Sequence, residues 1–104
     1  MFRVFRAKWY EKKLNKLSNQ EQQRVINFEQ QLKQNPLEGR PLGYDFFMEK
    51  KFNGKRLYFL VYHSHEVVFL ITISDKKTQQ QVIDIIKSNL DVYNAELNKI
   101  LGNL

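Results

Sequence analysis

The chain has 104 residues, a formal net charge of +6 at neutral pH and no cysteine. This length predicts a single domain, residues 1–104, with one hydrophobic core, and the lack of cysteine excludes a disulfide framework, a thiolate nucleophile and a Cys-type zinc site. The excess of Lys and Arg favours a polyanionic partner, either nucleic acid or an acidic protein.

Targeting signals are not evident in the sequence. The N-terminus alternates apolar and basic residues and lacks the continuous apolar segment of a secretory signal. The longest apolar run, residues 67–73, is too short to span a bilayer. We therefore expect a soluble cytoplasmic protein that does not contact membranes.

The first third of the chain predicts a strand followed by two helices. Residues 2–7 alternate with the period of a strand, and a helical segment follows them. A second helix begins at Ser18, whose spacing from Glu21 matches a capping box. It ends before Pro36, because the residue before proline is disfavoured in a helix. The two helices form a hairpin, and residues 35–44 form a loop rich in Gly and Pro.

Three strands are predicted next, at residues 45–52, 55–62 and 67–74. The first two flank Asn53-Gly54, a strong signal for a two-residue hairpin turn. Residues 63–66 form a second reversal. The third strand is apolar on both faces, which is typical of a central strand.

The C-terminal segment predicts one amphipathic helix over residues 78–101. Thr78 and Gln81 match a second capping box. The apolar positions repeat as a heptad stripe: Ile83, Ile86, Leu90, Tyr93, Leu97 and Ile100. This stripe either covers the protein's own sheet or docks onto a partner helix. The expected fold is α+β, in the order β-α-α-β-β-β-α, with a small, mainly antiparallel sheet and the helical hairpin on one face.

The predicted hairpin register gathers charge on one face of the sheet. A two-residue turn places Lys51 opposite Arg56, and strand alternation puts both on the side that also carries Glu49, Tyr58 and Tyr62. Like charges directly opposite each other are destabilising. An anion bound between them would reverse that repulsion, whereas in the alternative both side chains extend into water near the hairpin tip.

The last strand brings further cations toward this face. Continuing the register across the second reversal pairs Tyr62 with Val67 and Arg56 with Ile73, and parity then sends Asp75 and Lys77 to the side of Arg56. Lys76 is a further candidate, because the strand can end before that point. The other face carries five apolar residues that can pack against the helical hairpin: Phe46, Met48, Leu57, Phe59 and Val61.

These residue types suit cleavage of RNA by its own 2′-hydroxyl without a metal. The reaction needs a base, cations for the charged phosphorus centre and an acid for the leaving 5′-oxygen; Arg and Lys match phosphate oxygens. Glu49 or a lysine such as Lys51 is the candidate base. Tyr58 or Tyr62 offers a ring for base stacking.

Other residues receive simpler interpretations. Lys50 and Lys55, which flank the hairpin tip, are added as RNA-binding candidates. His63 and His65 lie at the opposite end of the hairpin and are assigned to an ordinary turn, because two ligands without a third do not make a metal site. We expect no metal and no cofactor.

The chain resembles the RelE/ParE superfamily of toxins from toxin–antitoxin pairs over essentially its whole length. The resemblance rests on the order of the first strand, the helical hairpin ending at residues 32–36, the loop at 39–42, the strand opening at 54–58 and the segment 71–77. The RelE branch is the more similar one, because the basic sheet face is retained.

The resemblance implies a toxin that cleaves mRNA on the ribosome and is bound by an acidic antitoxin. By position, Arg56 matches the family's catalytic-strand arginine, Lys51 a basic residue of the preceding strand, and Lys76 or Lys77 the basic residue after the last strand. Glu49 and Phe47 stand where RelE has lysines, and the family's late tyrosine falls on Val82 or Ile83.

The alternatives are a ParE-like inhibitor of DNA gyrase and a non-catalytic protein that binds only RNA or antitoxin. The antitoxin is expected along the sheet or in place of the C-terminal helix, where it would contact four residues of the heptad stripe: Ile83, Ile86, Leu90 and Tyr93.

Overall fold

A computed structural model describes all residues 1–104 and contains one five-stranded mixed sheet. The strand order is β1-β5-β4-β3-β2. The strands are β1 (Arg3–Arg6), β2 (Arg40–Pro41), β3 (Phe47–Phe52), β4 (Lys55–Tyr62) and β5 (Val67–Asp75). Strand β1 runs parallel to β5, and the other three pairs are antiparallel. The predicted α+β class and mainly antiparallel sheet are confirmed.

Four helices complete the fold: α1 (Lys8–Leu14), α2 (Asn19–Gln34), α3 (Gln79–Ser88) and α4 (Leu90–Gly102). The predicted helical hairpin is α1 and α2, and the ring of Phe28 on α2 meets that of Phe59 on β4 at a centroid distance of 6.1 Å. On the opposite face, Gln79 at the start of α3 hydrogen-bonds to Glu49 on β3. The sheet is therefore covered on both faces. No helix is long and apolar enough to cross a membrane.

A buried carboxylate joins α1 and α2 to the first strand. Glu29 on α2 is 6% exposed. It accepts hydrogen bonds from the guanidinium of Arg6 at 2.8 and 3.1 Å and from the hydroxyl of Tyr10 at 2.6 Å. Burial raises the pKa of Tyr10 well above its ordinary value, with the charge of Glu29 acting in the same direction. These partners satisfy a charge that would otherwise be costly to bury.

The hairpin between β3 and β4 has the predicted register. Lys51 lies opposite Arg56, and Glu49 lies opposite Tyr58. Asn53 and Gly54 both have positive φ angles, 46° and 74°, as a type I′ turn requires. The turn chemistry read from the sequence therefore fixes which side chains share a face.

The predicted pairing between β4 and β5 is only half correct. Tyr62 pairs with Val67 as expected, but Arg56 pairs with Ser74 rather than Ile73. The register shifts between Tyr58 and Phe59, because β5 carries one extra residue, Ile71, at a bulge. A one-residue shift reverses the faces beyond that point.

The C-terminal segment also differs from the prediction. It forms two helices rather than one, and the break falls at Asn89, the residue between α3 and α4. The capping box predicted at Thr78 is wrong, because its side chain caps no helix amide. Instead the carboxylate of Asp75 accepts hydrogen bonds from the amide and the hydroxyl of Thr78. The box predicted at Ser18 is present, with Ser18 accepting from the amide of Glu21 at 3.1 Å.

Candidate functional site

The candidate site lies at the hairpin-tip end of the sheet, on the face covered by α3. Lys51 and Arg56 are directly paired there and share this face. Because Arg56 also pairs with Ser74, the end of β5 lies beside it, and the turn with Lys76 and Lys77 begins two residues later. The geometry thus brings four cations to one end of the sheet.

Of these cations, Arg56 is the only buried one. Its side chain is 9% exposed, and its Nε lies 3.9 Å from Oε1 of Glu49, whose side chain is fully buried. The other carboxylate oxygen of Glu49 accepts a hydrogen bond from the amide of Gln79 at 2.6 Å. Arg56 also donates to the backbone carbonyl of Lys55. Charge compensation by Glu49 offsets the repulsion between Arg56 and Lys51.

Three buried polar atoms in this region make no hydrogen bond within the protein. They are Glu49 Oε1, Arg56 Nε and Thr72 Oγ1. Buried polar atoms are nearly always paired, so a group of unpaired ones is unusual. Two of them belong to the residues predicted to act on RNA.

Tyr58 lies beside these buried atoms, and its ring is not exposed to solvent. It is fully buried, and its hydroxyl is 2.8 Å from that of Ser74. Burial raises the pKa of Tyr58, against the smaller opposing effect of the hydrogen bond with Ser74. The buried ring is therefore not available for stacking in this structure.

The turn after β5 is basic, exposed and locally ordered. Lys76 and Lys77 are both exposed, and neither makes a salt bridge. The predicted placement of Asp75 and Lys77 beside Arg56 is wrong for Asp75, because the bulge puts Ser74 there and pairs Asp75 with Lys55. Since β5 ends at Asp75, strand parity no longer assigns the two lysines to a face.

Two predicted RNA-binding residues lie on the other face of the sheet. Lys50 and Lys55 alternate with Lys51 and Arg56, so they point toward α2. The ammonium group of Lys50 is 3.3 Å from Glu38, and that of Lys55 is 3.3 Å from Glu21. Their roles in RNA binding stay predictions, but the structure separates them from Arg56.

The remaining aromatic candidate and both histidines lie at the far end of β4. Tyr62 is half-buried, and burial raises its pKa to about 12. His63 and His65 are exposed in a 3₁₀ turn. No group of three or more His, Asp or Glu side chains is arranged to hold a metal ion.

The heptad stripe is turned inward. Three of the four predicted antitoxin contacts are buried in the protein's own core, and Leu90 is half-buried against it. An antitoxin can therefore reach Ile83, Ile86 and Tyr93 only by displacing α3 and α4. Contact with the stripe stays a prediction.

Sequence reasoning missed two residues of the site, Gln79 and Ser74. Gln79 lies inside the capping box predicted at Thr78, and nothing in the sequence marks it as the partner of a carboxylate 30 residues away. The predicted pairing of Arg56 with Ile73 leaves Ser74 on the other face, because the bulge at Ile71 has no signal such as a glycine.

The similarity of this chain to known proteins lies in its three-dimensional structure. No family model matches the chain, and no curated protein does. The isolated RelE toxin of E. coli superposes with a TM-score of 0.65 at 18% identity, covering 82% of this chain and 99% of RelE. A RelE variant in the free state gives 0.67 at 14% identity, covering 95% and 97%. The RelBE2 toxin–antitoxin complex of Mycobacterium tuberculosis gives 0.64 at 20% identity, covering 72% and 98%.

This chain has the fold of the RelE toxins. The resemblance seen in the sequence is thereby confirmed for the fold. Because fold alone does not determine activity, the function of this RelE fold has to be argued from its residues.

Proposed function

We propose that the protein is the toxin of a toxin–antitoxin pair and cleaves mRNA on the ribosome. The observation that carries the proposal is the pairing of Lys51 with Arg56 on one face, next to the basic turn at Lys76 and Lys77. The RelE fold supports it, since the solved relatives are toxins, several of them in complex with antitoxins. Ribosomes also imply a cytoplasmic location.

The exposed lysines are the groups available to bind phosphate first. Lys51, Lys76 and Lys77 are exposed and make no ion pair with an acid, so each keeps its charge for a phosphate oxygen. Phosphate contacts position a nucleic acid and contribute most of the affinity. These contacts would hold the scissile phosphate at the hairpin tip.

Glu49 and Arg56 are the proposed reacting pair beneath them. The unpaired Oε1 of Glu49 is an acceptor for the proton of a ribose 2′-hydroxyl, and the unpaired Nε of Arg56 is a donor for the phosphate oxygen that gains charge. The 2′-oxygen then bonds to phosphorus as the bond to the 5′-oxygen breaks, and a lysine ammonium supplies the proton for that leaving oxygen. No metal is needed for these steps.

Access to the pair requires α3 to move, because both side chains are almost fully buried. Gln79 at the first turn of α3 makes the hydrogen bond that covers Glu49. Opening this contact would expose Glu49, Arg56 and Tyr58 together. Binding of the ribosome-bound message is the proposed trigger for this opening. Without the message the contact stays closed and the free protein is inactive.

The test is cleavage of a reporter mRNA on translating ribosomes, read by primer extension. Lys51→Ala is expected to lower the cleavage rate about 10²-fold without lowering stability, since it removes a like-charge pair. Lys16→Ala, which removes an exposed charge from the opposite helical hairpin, is the matched control. Arg56→Lys is preferable to Arg56→Ala, because it keeps a cation beside the buried Glu49. Intact message at full toxin occupancy would reject the proposal.

A non-catalytic binding protein is the second candidate function. It is favoured by the burial of Arg56 against Glu49, which leaves no open cleft at the reacting pair. This candidate predicts RNA binding with steep salt dependence and no turnover. Inhibition of DNA supercoiling by gyrase, with message left intact, would instead support the ParE-like alternative.

A further inference from the structure

The hairpin tip has a second basic surface, on the face opposite Arg56. A cleft of about 260 Å³ opens between α2 and the β3–β4 hairpin. Its cations are Arg24, Lys50 and Lys51, and no acidic residue lines it. Apart from Lys51, which is also paired with Arg56 on the other face, none of the residues lining the cleft is needed for the proposed chemistry at Glu49 and Arg56.

One side of the cleft is a regular helix face. Arg24, Asn27, Phe28 and Gln31 are spaced i, i+3, i+4 and i+7 along α2, so they lie in one row. Gln31 makes no side-chain hydrogen bond, and Asn27 uses only its carbonyl oxygen, which accepts from Gln23. The amide of Gln31 and the NH₂ group of Asn27 are therefore free to bind a ligand.

Two side-chain contacts connect α2 to the hairpin beside the cleft. Arg24 donates to the side chain of Asn53 at the hairpin tip. Lys50 lies 5.3 Å from the centre of the Phe28 ring and 3.3 Å from Glu38. Glu38 partly neutralises Lys50, which leaves Arg24 and Lys51 as the cations with full charge.

Phe52 provides an aromatic wall. It is half-buried, so part of its ring lies on the surface of the cleft. The volume lies just below the range of typical small-molecule pockets, which suits one planar group rather than a stack of several. Amides, an aromatic ring and two cations in one small cleft match an unpaired nucleobase with its phosphate.

We propose that this cleft binds one unpaired nucleotide of an RNA strand, with the base between Phe52 and the amides of Asn27 and Gln31 and the phosphate at Arg24 and Lys51. The proposal deepens the proposed function, on which it rests for the RNA. Lys51 lines the cleft and is also the register partner of Arg56, so a strand held in the cleft lies beside the hairpin tip. An acidic peptide is less suitable, because a chain of carboxylates offers no planar group to the half-buried ring of Phe52.

The test is binding of a short labelled single-stranded RNA to the intact protein, followed by fluorescence anisotropy. Gln31→Ala and Phe52→Leu are each expected to weaken binding about tenfold. Gln30→Ala, on another face of α2, is the matched control and should leave binding unchanged. Arg24→Gln should weaken binding and reduce the slope of log affinity against log salt by about one, whereas Lys16→Gln should do neither.

Two competitors distinguish the base from its phosphate and from a peptide. Inorganic polyphosphate should bind equally to the wild type and to Gln31→Ala, since it has no base. Equal losses for RNA and polyphosphate, no loss for either, or no RNA binding by the wild type would overturn the proposal. The proposal would also be overturned if Gln31→Ala weakened the binding of a polyglutamate peptide but not the binding of RNA.

The result is separable from the outcome of the cleavage assay. If the wild type binds RNA but does not cleave mRNA, and Gln31→Ala weakens RNA binding, the cleft proposal stands and the nuclease proposal fails. If the wild type cleaves and the cleft variants bind and cleave as it does, the reverse holds. Because Arg24, Asn27 and Gln31 are exposed, unchanged urea midpoints should show that the variants remain folded.

Discussion

Glu49 and Arg56 lie diagonally across the β3–β4 hairpin, with carboxylate and guanidinium 3.9 Å apart beneath the first turn of α3. Neither is the other's register partner: Arg56 faces Lys51, and Glu49 faces Tyr58. The buried acid thus offsets a like-charge pair. Stability and the proposed chemistry depend on the same two side chains.

Replacing Glu49 by Gln should destabilise the protein strongly. The change leaves the Arg56 guanidinium buried without a counter-charge, and breaking one side of a buried pair costs about 3–5 kcal/mol. The free energy of unfolding in urea measures the loss. Glu66→Gln, whose side chain is 64% exposed, should change it by less than about 0.5 kcal/mol.

The double variant Glu49→Leu with Arg56→Met distinguishes the effect of losing both charges from the effect of losing one. It removes both charges and their desolvation cost, so its stability should return to within about 1 kcal/mol of the wild type. A double variant as unstable as Glu49→Gln would show that packing at these positions, and not charge, is responsible.

Two sites with the same capping-box signature should respond differently to substitution. Ser18→Ala removes a hydroxyl that accepts from the amide of Glu21, and should cost about 1 kcal/mol in unfolding free energy. Thr78→Ala removes no cap of α3 and should cost less, because Asp75 keeps its bond to the backbone amide of residue 78. Equal losses would contradict this assignment.

That contrast shows what the sequence predicts well. Asn53-Gly54 and Ser18 act through neighbouring residues, so a short segment contains all the information needed for the hairpin register and for the start of α2. The face shared by Lys51 and Arg56 follows from the turn alone. These local features made the β3–β4 part of the site predictable.

The rest of the site depends on contacts between distant segments. Strand β5 lies between β1 and β4, and its bulge at Ile71 puts Ser74 at the position predicted for Ile73. No proline or glycine in the sequence marks the break between α3 and α4 at Asn89. Burial of Glu49 arises only when α3 folds back over β3, so its pairing with Gln79 is invisible to strand periodicity.

Asp75 should stabilise the protein only above acidic pH. Hydrogen bonds from the amide and then the hydroxyl of Thr78 hold the pKa of Asp75 below its ordinary value of 3.8. A carboxylate with a lowered pKa in the folded state contributes fully above pH 3.8, and the contribution is lost as the pH falls through the folded-state pKa. Asp75→Ala should therefore lower the urea midpoint at pH 7.

The difference between Asp75→Ala and the wild type should then narrow in a titration of the urea midpoint below pH 3.8. Asp45→Ala is the control, because the Asp45 carboxylate accepts no hydrogen bond from another residue, and it should leave the urea midpoint at pH 7 unchanged. A gap between Asp75→Ala and the wild type that stays constant down to pH 2 would assign the effect of Asp75 to strand propensity at the end of β5 instead of its charge.

Gly39 should be among the least replaceable residues of the loop that leads to β2. Its φ angle is +140°, and an added Cβ would lie 2.8 Å from the backbone carbonyl oxygen of Glu49. Backbone of this kind strains any other residue by about 1–3 kcal/mol, and the clash would push β3 away from β2. Gly39→Ala should therefore lower the unfolding free energy by about 2 kcal/mol or more. Gly102→Ala, where a Cβ meets nothing within 4 Å, should not lower the free energy of unfolding.

Because β2 pairs with β3 at Glu49, Gly39→Ala should also shift the amide resonance of Glu49 in NMR spectra. A stable variant with unshifted Glu49 would show that the loop does not hold the buried acid in place.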